Sequence, residues 1–181
     1  MPMRRFCTLL LIAALGAAAP SVRAIDAARS SARFSVSHIW VEHVSGSVPV
    51  AEGSVTLAGD SPIPTDVSAV LDATRVATGE PDRDRQLQSP DFFDVKRFPR
   101  WSFTSTAVIP KGPASFEMDG NLTIHGVTQP ERLNVTVSGA PDAPHYHAAG
   151  EIDRHAFGMS VTRLDPTIGG TVAVTLEIAL R

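Results

Sequence analysis

The stretch Thr171-Val172-Ala173-Val174-Thr175-Leu176-Glu177-Ile178-Ala179-Leu180 decides the fold. Val172, Val174, Leu176, Ile178 and Leu180 take every second position, and small or polar residues take the rest. A strand sends successive side chains to opposite faces, so a period of two describes a strand with one apolar face. A helix would need apolar residues three and four apart. The same alternation recurs upstream at Phe34, Val36, His38 and Trp40, at Val55 and Leu57, and at Val67, Ala69, Leu71 and Ala73. It continues at Trp101, Phe103 and Ser105, at Phe116, Met118, Gly120 and Leu122, at Leu133, Val135 and Val137, and at Tyr146, Ala148, Gly150 and Ile152. Between these runs stand turn clusters such as Gly59-Asp60-Ser61-Pro62, Pro110-Lys111-Gly112-Pro113 and Gly139-Ala140-Pro141-Asp142. About eight short strands joined by polar turns read as an all-β antiparallel barrel or sandwich.

One segment departs from the pattern. Asp82 to Val95 is charged first and aromatic afterwards, and Pro90 divides it. Arg83 to Gln88 suits one or two helical turns, and Ser89-Pro90-Asp91 resembles a cap followed by proline at a first helical position. A short helical excursion around residues 82–95 is therefore expected, placed to act as a lid over a barrel mouth. Asp91 and Asp94, three apart, read as capping and solvating that turn.

Met1 to Arg5 is basic, Cys7 to Ala19 is a 13-residue run without charge, and Val22-Arg23-Ala24 ends on small residues. This is the pattern of a secretory signal peptide over residues 1–24, with a single domain at 25–181. A bilayer-spanning helix needs about 20 apolar residues, more than the run supplies. Removal of the leader near Ala24 takes away Cys7, the chain's one cysteine, and implies a periplasmic or secreted protein. The whole chain has 16 Lys plus Arg against 19 Asp plus Glu, a formal charge of −3. All three leader charges are arginines, so the remainder is more acidic still, and a nucleic-acid backbone is not an expected partner.

Catalytic patterns are missing from the sequence. There is no Gly-x-Ser-x-Gly elbow and no glycine-rich phosphate loop, and no thiol survives leader removal. The expectation is a protein that is not an enzyme and has no catalytic residues, metal ligands or cofactor. An alternative rests on His145 and His147: two residues apart on a strand, they share a face and could grip Zn or Cu in metal handling or redox defence.

Four segments resemble the YceI-like family of secreted polyisoprenoid-binding proteins. They are Ile25-Asp26 with Ser31-Ala32-Arg33-Phe34-Ser35-Val36-Ser37-His38; Arg83-Asp84-Arg85-Gln86-Leu87 with Ser89-Pro90-Asp91-Phe92-Phe93-Asp94-Val95, Phe98-Pro99 and Phe103-Thr104-Ser105-Thr106; Gly120-Asn121-Leu122-Thr123-Ile124-His125-Gly126-Val127-Thr128; and Arg154-His155-Ala156-Phe157-Gly158. Two departures stand out. Gln86 replaces the family's usual histidine, and Pro49 interrupts the Ser45 to Ala51 strand, which implies an edge or a bulge.

The resemblance implies an eight-stranded, lipocalin-like antiparallel barrel that holds an isoprenoid chain, such as a quinone tail or polyprenyl phosphate, for transport, storage or sequestration. The expected ligand-binding residues are Phe34, Val36, His38, Trp40, Phe92, Phe93, Phe98, Trp101, Phe103, Leu122 and Phe157. Arg83 and Arg154 are expected to meet a polar head group. A homodimer and a membrane-associated donor or acceptor protein are the macromolecular partners compatible with such a carrier.

Overall fold

The structure is a computed structural model that describes residues 19–38, 42–140, 142–159 and 167–181. Ten strands form one antiparallel sheet: β1 (Ser21–Ala24), β2 (Ser31–His38), β3 (Glu42–Val48), β4 (Val50–Leu57), β5 (Pro64–Asp72), β6 (Arg100–Gly112), β7 (Ser115–Ile124), β8 (Val127–Ala140), β9 (Ala143–Asp153) and β10 (Ile168–Ala179). Their order across the sheet is β1-β4-β5-β6-β7-β8-β9-β10-β2-β3. One helix, α1 (Pro81–Gln88), and two short 3-10 turns at Ala73–Arg75 and Arg154–Phe157 complete the described elements. No described helix is long and apolar enough to cross a membrane.

All eight expected strands are present. Two more appear for distinct reasons. Pro49 has no N–H for a ladder and divides what would be one long strand into β3 and β4, which pair with β2 and β5 respectively. The corner is held by Asp72 N–H donating to Pro49 O at 2.9 Å. β1 lies inside the stretch read as a leader and runs antiparallel to β4, Ala24 opposite Ser54.

The sheet curls into an open barrel whose two ends are linked by the chain and not by a ladder. β3 and β4 stand at or next to its opposite ends, yet only Pro49 separates them in the chain. On the other side of that corner Ile25 bridges Leu180, with Ile25 N–H donating to Gly53 O and Asp26 N–H to Ala179 O. The inward faces carry the alternating residues read from the sequence: along β7 Phe116, Met118 and Gly120 are buried, and along β9 Tyr146 and Ala148. The expected turn at Pro110–Pro113 is corrected, because β6 continues through Pro110 to Gly112 with a register shift there.

The helical excursion is shorter than the 82–95 expected. Pro81, rather than Pro90, takes the first helical turn, and Ser89 ends the helix in an extended conformation (ψ 164°), the one a residue before proline prefers. Asp94 is buried rather than solvated, adopts a left-handed backbone (φ 43°) and lies 3.4 Å from Arg97 Nη1. Its carbonyl accepts from the Arg97 and Phe98 N–H groups, which closes the turn leading into β6.

His125 and Gly126 make the two-residue β7–β8 connection with φ of 53° and 75°, the positive pair that a tight hairpin requires. A Cβ at Gly126 would lie 2.4 Å from the Phe98 ring. Gly126→Ala is therefore expected to cost about 2 kcal/mol or more through strain and overpacking together, read as a lower urea midpoint with an unchanged slope.

Candidate functional site

The inward faces enclose two chambers stacked along the barrel axis. A lower chamber of about 140 Å³ is lined by residues that include Trp101, Phe103, Leu122, Tyr146, Leu176 and Ile178. An upper chamber of about 250 Å³ is lined by residues that include Val36, His38, Leu87, Phe92, Phe93 and Val172. Phe34, Trp101, Ile124, Ile152 and Val174 belong to both linings, so the chambers meet at these side chains. The strand period sets this arrangement. Along β10, Ile178 and Leu176 face the lower chamber, Val174 the junction, and Val172 and Ile168 the upper chamber.

The lower chamber's lining includes Arg33, Glu131 and Glu151, and a cluster of cationic and amide side chains marks the upper chamber. Arg83 and Gln86 of α1 stand in its wall together with His38 and Arg154. Arg83 is half-buried, with no ion-pair or hydrogen-bond partner among the described residues, and half-buried His38 likewise has none. Arg85 is exposed and pairs with Asp82. α1 buries none of its residues. Its N-terminal side is moored where Thr78 N–H and Oγ1–H both donate to Asp84 Oδ1 at 2.7 Å.

Arg154 differs from the expected head-group donor. It is 6% exposed, and its guanidinium donates to the carbonyls of Gly169 (2.9 Å), Met159 (2.5 Å) and Ile168 (3.0 Å). These bonds tie the two ends of the β9–β10 connection together at the chamber wall. Phe92 and Phe93, two of the expected ligand-binding residues, follow α1 in the chain. Both are buried and both line the upper chamber, and Phe93 meets Trp101 edge-on with centroids 4.7 Å apart.

Two expected lining residues stand elsewhere. Phe98 packs edge-on against His125 at 5.1 Å, with the Arg97 guanidinium over its ring, and lines neither chamber. Phe157 is fully buried in the core, and its carbonyl lies 3.4 Å from His125 Nδ1. The Phe98 ring and the Phe157 carbonyl both brace the hairpin turn. Trp40 lies outside the described residues.

His145 and His147 share the outer face of β9, as their spacing required. Each is turned towards Glu177 on β10, with His147 Nδ1 2.7 Å and His145 Nδ1 3.6 Å from its carboxylate oxygens. Among the described residues no three His, Cys, Asp or Glu side chains are arranged to hold a metal ion.

The sequence reading missed Ile124, Ile152 and Tyr146 as lining residues, although all three sit on strands whose alternation it identifies. Glu131 was missed too. It is half-buried on the inward face of β8, and desolvation, reinforced by Asp153, pushes its carboxyl up from the usual range. Tyr146 closes the lower end: its hydroxyl donates to Pro62 O at 3.0 Å, fastening the β4–β5 loop, and burial pushes its pKa up to about 12. Because the folded state holds that proton more tightly than the unfolded chain, stability is expected to fall as pH rises from 10 towards 12. Tyr146→Phe is expected to cost about 1 kcal/mol at neutral pH through the lost hydrogen bond and to flatten that alkaline decline, as thermal unfolding across pH would show.

Known proteins share both the sequence and the shape. A UPF0312 protein of Vibrio parahaemolyticus is 31% identical over 183 residues, covering 96% of this chain and 94% of its own. One from Vibrio campbellii is 32% identical over 157 residues, covering 83% and 80%. Among solved structures, BcnA of Burkholderia cenocepacia superposes with a TM-score of 0.73 at 20% identity, covering 86% of this chain and 98% of its own. A polyisoprenoid binding domain from Saccharophagus degradans gives 0.67 at 16% identity, covering 87% and 97%. A YceI-like domain is matched over residues 24–180. A curled, lipocalin-like antiparallel barrel with an apolar interior, matched from end to end by that family, makes this chain a member of the YceI-like family.

Proposed function

We propose that this protein is a non-enzymatic binding protein that holds a polyisoprenoid, or a similar long apolar molecule, for transport, storage or sequestration. The observation that carries this reading is the stacked pair of chambers, lined mainly by apolar side chains and joined at five shared side chains. Their volumes together fall within the ~300–1,000 Å³ of small-molecule sites. The similarity to a polyisoprenoid binding domain supports the same reading. Burying several hundred Å² of chain at ~25 cal/mol/Å² supplies on the order of 10 kcal/mol of gross driving force. Ordering costs remove part of it and leave room for micromolar or tighter binding.

The distribution of polar groups orients the ligand. The chain descends into the lower chamber, and a phosphate or quinone head stays above, next to Arg83, Gln86 and His38. Arg83 has no partner of its own among the described residues and offers charge-assisted hydrogen bonds to an anionic head. Organic extraction of the purified protein, followed by mass spectrometry, is expected to release a long-chain isoprenoid. Extracts free of any long apolar molecule, together with failure to bind added prenyl ligands, would defeat the proposal. Arg83→Gln is expected to weaken binding of a prenyl phosphate about 10-fold while leaving a prenyl alcohol within a factor of about two.

From the leader pattern at residues 1–24 we further propose that the protein works outside the cytoplasm. Intact mass of the secreted protein is expected to show a chain beginning at or near Ile25 and lacking Cys7. A mature mass that retains Cys7 would count against a leader cleaved near Ala24.

A further inference from the structure

The junction of the two chambers has a built-in width. Phe34 and Trp101 both line it, and they come from β2 and β6, five places apart in the order of the curled sheet, so they approach from opposite walls. Trp101 packs edge-on against the Phe93 ring. Phe34 is held differently. Its cross-strand partner on β3 is Gly46, and the Phe34 ring lies over that glycine. A Cβ at Gly46 would stand 2.4 Å from Phe34 Cζ and 2.7 Å from Cε1. The glycine cannot yield backwards, because the same Cβ would lie 2.9 Å from Ala77 O, and neighbouring Ser47 is bonded to Ala77 in both directions at 2.8 and 3.0 Å. Carbon atoms pack at ~3.5–4.0 Å, so a side chain at residue 46 would drive the Phe34 ring roughly 1 Å or more out of its slot. Phe34 is in the lining of both chambers, so the displaced ring would intrude on their junction.

We propose that Gly46 is a specificity-determining residue: by letting Phe34 lie flat against its own wall, it keeps the neck wide enough for a methyl-branched chain. This rests on the reading of the interior as a lipid site and adds the feature that selects among lipids. A linear alkyl chain presents one methylene at a time to the neck. A prenyl chain must also pass a methyl branch every fourth carbon, and that branch occupies the width the missing Cβ leaves. Phe103 repeats the device in the lower chamber, where a Cβ at Gly120 would lie 2.2 Å from its ring.

The test compares geranylgeraniol with hexadecanol in a displacement assay, on delipidated full-length mature protein. Gly46→Ala is expected to weaken geranylgeraniol about 10-fold or more, the usual effect of one misplaced carbon in an apolar site, and hexadecanol by no more than about threefold. Adding Phe34→Leu to Gly46→Ala removes the displaced ring and is expected to restore geranylgeraniol binding. Phe34→Leu alone leaves the backbone untouched, so it reads the neck even if Gly46→Ala does not fold, and it is expected to bring the two affinities within about threefold of each other. Equal losses for both probes in Gly46→Ala, or unchanged discrimination in Phe34→Leu, would overturn the neck while leaving the lipid site standing. Wild-type protein that binds neither probe would overturn the lipid site itself.

Discussion

Proline cannot donate to a ladder, and at residue 49 that lack turns one strand into two that serve opposite ends of the sheet. The rest of the molecule depends on this corner. An antiparallel sheet with one apolar face would otherwise present that face to water or need a second layer, which the described residues do not supply. Because β3 and β4 are contiguous through Pro49, the inward faces of distant strands are brought opposite each other, and Ile25 and Leu180 bind the same seam from the other side. Enclosure is thus a property of connectivity. The side chains decide only how much of the enclosed space they fill.

They fill it at the ends and leave it open along the middle. Below, the Tyr146 hydroxyl fastens the β4–β5 loop and Phe116 stacks edge-on against Tyr146 at 6.4 Å. To one side, Phe157, fully buried, anchors the 3-10 turn that follows β9. Between these the wall residues Val36, Leu122, Ile152, Val174 and Leu176 remain only half-buried although they face inward. Glycine beneath an aromatic ring is the local reason at two points, Gly46 under Phe34 and Gly120 under Phe103, since a ring lying over its own sheet does not reach across.

How far the sequence could be read follows from which forces act locally. Strand alternation is a two-residue property, so every expected strand is found and most expected lining residues face a chamber. What failed required knowledge of the third dimension. Phe98 and Phe157 look like pocket residues by composition, but each is claimed by the His125-Gly126 turn, a contact between segments about 30 residues apart. Arg154 looks like a free cation beside Asp153. Its carbonyl partners lie across the β9–β10 connection, and no spacing in the sequence announces them. Ser89-Pro90 carries the cap-and-proline signal of a helix start, yet the helix begins at Pro81 after an uncapped Glu80 and Ser89 ends it.

The half-buried state of the wall has an energetic consequence that joins stability to binding. Apolar surface facing a chamber has left bulk water without gaining the contacts of a packed interior, so the barrel forgoes part of the dispersion energy that a filled core would provide. A chain threaded through both chambers supplies those contacts to the folded state alone, and any ligand that binds only the folded form stabilises it in proportion to the logarithm of its occupancy. The interior therefore owes its capacity for a ligand to the packing it lacks. The weakly buried α1 above the upper chamber belongs to the same economy, because its Arg83 and Leu87 face the space that a bound molecule would fill.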